Sequence, residues 1–229
     1  MIMKISTLFV IAPLLLSFAQ AAEPNTLTEA EKAEGWELLF DGKSAANWMS
    51  WKTKKPLELG AWVVADGALV KEKGGGDIYT ARAFENFELS LEWKTEGNSG
   101  ILFRVSPEAG GPIYKVAPEM QIDVTTGKQS TDAGGLYALY DIECEGEKKM
   151  DPKGWNTVKI RLVNGKGTHW FNGVKVAEYE IGSADWKERV AKSKFKDWAG
   201  FAETANGHIG LQEHGAKVSF RNVKVRVVK

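Results

Sequence analysis

The sequence predicts an all-β fold, a two-sheet antiparallel jelly-roll sandwich with one short helix near residues 184–198. Three observations carry this. Apolar and polar residues alternate with a period of two through several short segments, the repeat of a strand with one buried face. Asp-Gly and Asn-Gly dipeptides, which favour tight hairpin turns, separate many of those segments. A single later stretch has helical spacing of apolar residues. Many strands at short intervals with one helix point to a sandwich rather than an α/β sheet.

At the N-terminus, Lys4 precedes an apolar run from Ile5 to Phe18, and Ala19-Gln20-Ala21 follows with small-x-small spacing. Residues 1–21 therefore read as a signal peptide, and the chain is expected in the periplasm or secreted. The run is shorter than the roughly 20 apolar residues that span a bilayer. No Cys follows the cleavage site for lipid anchoring, and no later segment suits a membrane span. Residues 22–34 are polar and Glu-rich, a leader with room for one short helix, and residues 35–229 read as one β domain.

Trp36 to Phe40 opens the strands and ends at Asp41-Gly42. Ala61–Ala65 and Ala68–Lys71 flank Asp66-Gly67 as a hairpin. Gly74-Gly75-Gly76 is a loop without the strand–loop–helix setting of a phosphate cradle. Phe87, Leu89, Leu91 and Trp93 point one way, with Glu88, Ser90 and Glu92 opposite. Ile101, Phe103 and Val105 form the next buried row, with Arg104 opposite, and Val158, Ile160 and Leu162 another. Asn164-Gly165 and Asn172-Gly173 mark two more tight turns. Asp185 is the expected N-cap of the helix, whose apolar face would be Trp186, Val190 and Phe195. In the last strand, Lys217–Val228, the apolar phase shifts between Phe220 and Val223, which predicts a bulge near Arg221-Asn222.

Composition removes several function classes. Lys+Arg and Asp+Glu both number 30, so no basic surplus favours nucleic acid. Cys144 is the only cysteine, which excludes an internal disulfide and Cys-based zinc sites. There is no G-x-S-x-G elbow and no H-E-x-x-H helix. The nine Trp suit a sandwich core, and some suit platforms for sugar rings.

Three polar rows remain as candidate chemistry. In Glu119–Val124, Met120, Ile122 and Val124 would face the core while Glu119, Gln121 and Asp123 share the other face. An ordinary solvated face is the simpler alternative. In His208–His214, alternation gathers His208, Gly210, Gln212 and His214, and Gly210 leaves room above the sheet. Histidine titrates near neutrality and suits proton transfer, although a structural strand-end histidine fits equally. A turn at Glu96–Gly100, containing Asn98, delivers Arg104 to the polar face, either to grip a substrate oxygen or to pair with Glu119 or Asp123. Glu119 and Asp123 superficially match a glycosidase carboxylate pair. Four residues along a regular strand separate them by roughly 13 Å, against about 5–5.5 Å for retaining and 6.5–9.5 Å for inverting enzymes.

Ten segments in this order resemble the 3-keto-disaccharide hydrolase family, formerly described as a domain of unknown function. They are Leu39-Phe40-Asp41-Gly42-Lys43 with Trp48, Trp62 through Asp66-Gly67, Asn86–Leu89 with Glu92, and Asn98-Ser99-Gly100-Ile101 with Arg104. Then come Glu119–Asp123, Gly135-Leu136-Tyr137, Gly154-Trp155-Asn156, Asn172-Gly173, Gly210–His214 and Phe220–Val223. The resemblance runs from residue 36 to 228. It implies a concanavalin A-like jelly roll with a site on the concave sheet, export, and breakdown of glycans or glycosides. Glu213 stands where the family more often has Asp, on the expected core-side phase, so no effect on the site is expected. The variable Thr125–Asp132 loop carries no information on substrate.

The implied chemistry follows from a sugar already oxidised at C3 by a partner sugar 3-oxidoreductase. The neighbouring C2 proton is then acidic. Its removal gives an enolate, the C1 substituent leaves by β-elimination, and water adds back. That route needs one base, for which His214 is the candidate, and one enolate stabiliser, for which Arg104 would polarise the C3 oxygen. Glu119, Gln121 and Asp123 would bind hydroxyls or, through Glu119 and Asp123, a divalent cation such as Ca²⁺ or Mg²⁺. Gln212, Tyr137, Asn98 and His208 would orient the carbohydrate. Two rivals remain: a non-catalytic carbohydrate-binding module, and a conventional β-glucanase on the same fold.

Overall fold

The computed structural model describes residues 23–72, 74–144 and 146–229. The expected signal peptide at 1–21 lies outside the described residues. A short helix, α1 (Glu29–Ala33), is closed by a capping box: Thr28 accepts from Glu31 N while the Glu31 side chain accepts from Thr28 N. It precedes β1 (Trp36–Leu38), which pairs with the last strand, β13 (Val218–Val227).

Two antiparallel sheets follow. The larger contains β3 (Trp62–Ala65), β4 (Ala68–Lys71), β6 (Phe87–Thr95), β9 (Asn156–Val163), β10 (Lys166–Phe171) and β11 (Val174–Glu180). Its order is β11-β10-β9-β6-β13-β4-β3, with β1 added on β13. The smaller sheet contains β2 (Trp48–Ser50), β5 (Ile78–Thr80), β7 (Ser99–Val105), β8 (Glu119–Ile122) and β12 (His208–Leu211), in the order β2-β5-β12-β7-β8. The fold is thus the sandwich that the alternation predicts.

The three hairpins take both central residues through positive φ: Asp66-Gly67, Asn164-Gly165 and Asn172-Gly173. This is the turn whose twist matches that of the strands it joins. The bulge in β13 lies between Arg221 and Lys224, with Asn222 at φ +52°. Asn222 side-chain and backbone groups are held there by Glu92 and Asn25. The core lies between the sheets, where Phe87, Leu89, Leu91 and Trp93 meet Ile101, Phe103, Met120, Ile122, Ile209 and Leu211. Trp48, Trp62 and Trp93 are fully buried in it.

A second apolar cluster sits on the outer face of the smaller sheet. Trp51, Tyr79, Leu102 and Val105 are covered there by Ile113, Val116 and Ala117, from a loop with a short 3-10 turn at Ile113–Lys115. This cluster fills one half of that face and leaves the other half open.

Three expectations need correction. The later helix, α2 (Ala184–Lys192), is capped by the Ser183 side chain, which accepts from Trp186 N, and not by Asp185. It stops at Lys192, so Phe195 and Trp198 belong to the loop that follows. Strand β8 ends at Ile122, and Val124 is exposed rather than in the core. Among the described residues no helix is long and apolar enough to cross a membrane.

Candidate active site

The open half of the smaller sheet's outer face carries a cavity of about 340 Å³. Its floor comes from β7, β8 and β12. Gly100 lies across from Gln121, and Leu102 across from Glu119. The Glu119 side chain folds back over Gly100, where a Cβ would stand 2.1 Å from its Oε1. Only glycine leaves that space. Beyond the end of β12 the chain remains tied to the floor: Gln212 N donates to Gly100 O at 2.9 Å and Ser99 Oγ to Gln212 O at 2.8 Å. Gln212 Nε2 then reaches Glu119 Oε2 at 3.4 Å.

Three amides aim at this space with one end unused. Asn98 Oδ1, Gln121 Oε1 and Gln212 Oε1 are all buried, line the cavity and have no hydrogen-bond partner. Buried polar atoms are normally paired, since leaving one unpaired costs about 1–3 kcal/mol. Three converging on one cavity mark it as a place for a hydroxyl-rich ligand.

The walls come from loops. Tyr137 follows β8 in space, with its backbone N donating to Glu119 O at 2.9 Å. Lys194, just past α2, sets its ammonium 4.1 Å from the centre of the Tyr137 ring. Tyr114 and Trp198 complete an aromatic wall, and His214, exposed like Tyr114 and Lys194, stands at the rim.

Burial dominates the electrostatics. Desolvation pushes the Glu119 carboxyl up to about 8; the nearby Asp77 charge adds to the rise, and Lys194 and the Gln212 hydrogen bond oppose it. Behind the floor, desolvation likewise raises Asp77 to about 6, against the Glu213 N–H bonded to its Oδ1 and the charge of His214. Glu119 therefore holds its proton at neutral pH.

The turn after β12 is clamped from behind. Fully buried Lys71 pairs with Glu213 at 2.6 Å and donates to Ala216 O at 3.2 Å, while Glu213 Oε1 accepts from Gly215 N. Glu213 thus turns to the core side, as the alternation predicts, where it meets a buried cation from the opposite sheet. Its ion pair fixes the turn that presents Gln212 and His214 to the cavity.

Of the residues singled out from sequence, Glu119, Gln121, Gln212, Asn98, Tyr137 and His214 line one cavity. Arg104, His208 and Asp123 do not. Between its pairings with Gly210 and His208, β7 advances three residues where β12 advances two, a bulge with Arg104 at φ +58°. The extra residue breaks the two-residue repeat, so Leu102 and Val105 share the outer face and Arg104 turns away. Its Nη1 donates to Ala202 O at 2.9 Å, and its charge faces Tyr179 and Glu85. His208 Nδ1 bonds Thr80 O at 2.6 Å with its ring edge-on to Tyr79, beside the apolar cluster. Gly210 opens no space, because Ile113 fills it. Asp123 receives Gln121 Nε2 at 3.4 Å and Val124 N at 2.6 Å. Of the Glu119–Asp123 pair expected to hold a divalent cation only Glu119 lines the cavity, and no group of three His, Cys, Asp or Glu suited to a metal occurs among the described residues.

Sequence reasoning missed Lys194, Tyr114, Trp198 and Asp77. The first three sit in loops without periodicity, and Lys194 and Trp198 fall inside the span expected to be helix. The run Lys194-Phe195-Lys196-Asp197-Trp198 offered one signal, aromatics beside basic residues straight after a helix.

Comparison with known proteins bears on this site. The profile of the 3-keto-alpha-glucoside-1,2-lyase-like domain matches residues 35–226. A 3-keto-disaccharide hydrolase of Bacteroides thetaiotaomicron is 32% identical, over 91% of this chain and 84% of that protein. The crystal structure of a candidate glycosyl hydrolase from Parabacteroides distasonis superposes with a TM-score of 0.80 at 32% identity, covering 90% of this chain and 100% of that one. A carbohydrate-binding module from Bacillus subtilis, 14% identical, shares the fold at a TM-score of 0.50, over 79% of this chain and 96% of that module.

Proposed function

This chain belongs to the 3-keto-alpha-glucoside-1,2-lyase-like family, and on that premise we propose that it cleaves glycosides already oxidised at C3, by elimination and rehydration. The observation that carries the reading is the cavity floor: three unpartnered amide oxygens around a buried, proton-bearing carboxyl. Such a floor suits a sugar's hydroxyls, and its neutral carboxyl suits proton donation. Among the described residues Glu119 is the one carboxylate lining the cavity. A paired-carboxylate glycosidase mechanism lacks its second member there.

In this reading Asn98, Gln121 and Gln212 hold the sugar hydroxyls. His214 takes the C2 proton, and the C2–H electrons move toward the C3 carbonyl as an enolate. Lys194, the cation on the cavity wall, stabilises that charge, the role first assigned to Arg104. The enolate collapses to a C1=C2 double bond as the C1–O bond breaks, and Glu119 gives its proton to the departing oxygen. Water then adds across the double bond: Glu119 takes a proton from it, hydroxide joins C1, and His214 returns a proton to C2. Both residues end as they began.

Two further parts belong to the proposal. An upstream sugar 3-oxidoreductase supplies the ketone, and the N-terminal segment directs export to the periplasm or beyond. A panel of 3-keto-glycosides and their unoxidised counterparts, followed by mass spectrometry with and without chelator, tests the reading. Release of the 3-keto sugar from the oxidised set alone is expected. Cleavage of the unoxidised glycosides, or binding without turnover, would overturn it.

A further inference from the structure

The cavity is divided by chemistry. The amides and the carboxyl lie on the floor side: Glu119 and Gln121 on β8, with Asn98 just before β7 and Gln212 just after β12. Its outer wall is aromatic, built from Tyr114 on the 3-10 turn and Trp198 on the loop after α2. The two rings stand 5.8 Å apart, tilted by 51°. Tyr114 is 42% exposed although it is a large apolar-bodied side chain. Trp198 is held edge-to-face on Phe195 at 4.9 Å, and Phe195 is buried and stacked on Phe201 at 4.3 Å. Trp198 is therefore a fixed wall and not a mobile surface group. The cavity volume lies at the low end of the ~300–1,000 Å³ usual for small-molecule sites, which suits one or two rings and not a long polymer.

Resting on the functional reading above, we infer that Tyr114 and Trp198 form the leaving-group subsite, selecting glycosides whose C1 substituent is a ring with a flat apolar face. The oxidised sugar occupies the floor, because every unpaired amide oxygen is there. Its C1 substituent then points to the outer wall, where it meets the aromatic faces of Tyr114 and Trp198. Aromatic side chains hold such rings by their apolar, polarisable faces. Both the C–H face of a second pyranose and an aryl aglycone meet that requirement. Selection by shape and polarisability, with little directional bonding, gives tolerance of what the ring is but not of its absence.

The test compares three substrates sharing one 3-keto-glucosyl group: the methyl glycoside, the phenyl glycoside and a disaccharide. Steady-state kinetics are measured for wild type, Trp198→Ala and Tyr114→Ala, with circular dichroism to confirm folding. Tyr114 is exposed and outside the core, so its variant keeps the test open if Trp198→Ala disturbs the wall. The ratio of kcat/KM for a ring-bearing substrate to that for the methyl glycoside is expected to fall about tenfold, through KM, equivalent to about 1.4 kcal/mol. A fall for the phenyl glycoside, the disaccharide or both supports the subsite and identifies which ring it serves. Unchanged ratios in both variants, with wild-type turnover intact, overturn the subsite alone. Wild-type inactivity on all three substrates overturns the functional reading on which it rests.

Discussion

At the scale of single residues, the site depends on one carboxyl and the missing side chain beneath it. Glu119 keeps its proton because the floor removes it from water, and it lies in place because Gly100 has no Cβ. Glu119→Gln is expected to lower kcat by about 10²-fold or more, the scale of general acid catalysis. It should also abolish a decline in wild-type activity as pH rises through about 8, measured as a pH–rate profile. Gly100→Ala would drive a methyl group into the Glu119 carboxyl, 2.1 Å away. Activity should fall sharply while stability, measured by urea denaturation, drops by only about 1–3 kcal/mol.

At the scale of elements, the turn after β12 is held by a partner from the other sheet. Lys71 on β4 is fully buried and reaches Glu213 and Ala216 O. Lys71→Met should leave Glu213 without its cation and loosen His214. The expected outcome is a loss of about 3–5 kcal/mol by urea denaturation and a fall of about tenfold in kcat with KM little changed. Adding Glu213→Gln should recover part of the stability and none of the rate. Two-residue periodicity stops being informative where a strand carries a bulge that the sequence does not mark. The hairpins could be read because Asp-Gly and Asn-Gly demand one backbone shape. The β13 bulge could be read because the apolar phase visibly slips at Asn222. The β7 bulge is silent in sequence: Phe103, Arg104 and Val105 keep a perfect alternation, yet the backbone inserts a residue at Arg104. Past the end of β12 the alternation still holds, with Gln212 on the cavity and Glu213 turned inward to Lys71, but the sequence does not show the buried cation that Glu213 meets.

At the scale of the whole molecule, the sandwich brings six of the nine sequence-selected residues to one cavity because β7, β8 and β12 are neighbours. The remaining wall comes from loops placed by tertiary packing, which composition and period do not encode. Buried titratable groups should also give the fold a dome-shaped stability against pH. A carboxyl with a raised folded-state pKa binds its proton more tightly when folded, so stability falls as pH rises from the ordinary carboxylate range through about 8 for Glu119. His169, fully buried, is pushed down by desolvation to about 4. It binds its proton more weakly when folded, so stability falls as pH drops from about 6.5 through about 4. Urea midpoints across this range should show both limbs, and Glu119→Gln should flatten the alkaline one alone.

The fate of the hydrogen at C2 tests the elimination route most directly. Cleavage of a 3-keto-glycoside in deuterium oxide should place one deuterium on C2 of the released sugar, faster than in an enzyme-free control. Release of a sugar that retains its original C2 proton would contradict that route and move the chemistry to direct displacement at C1.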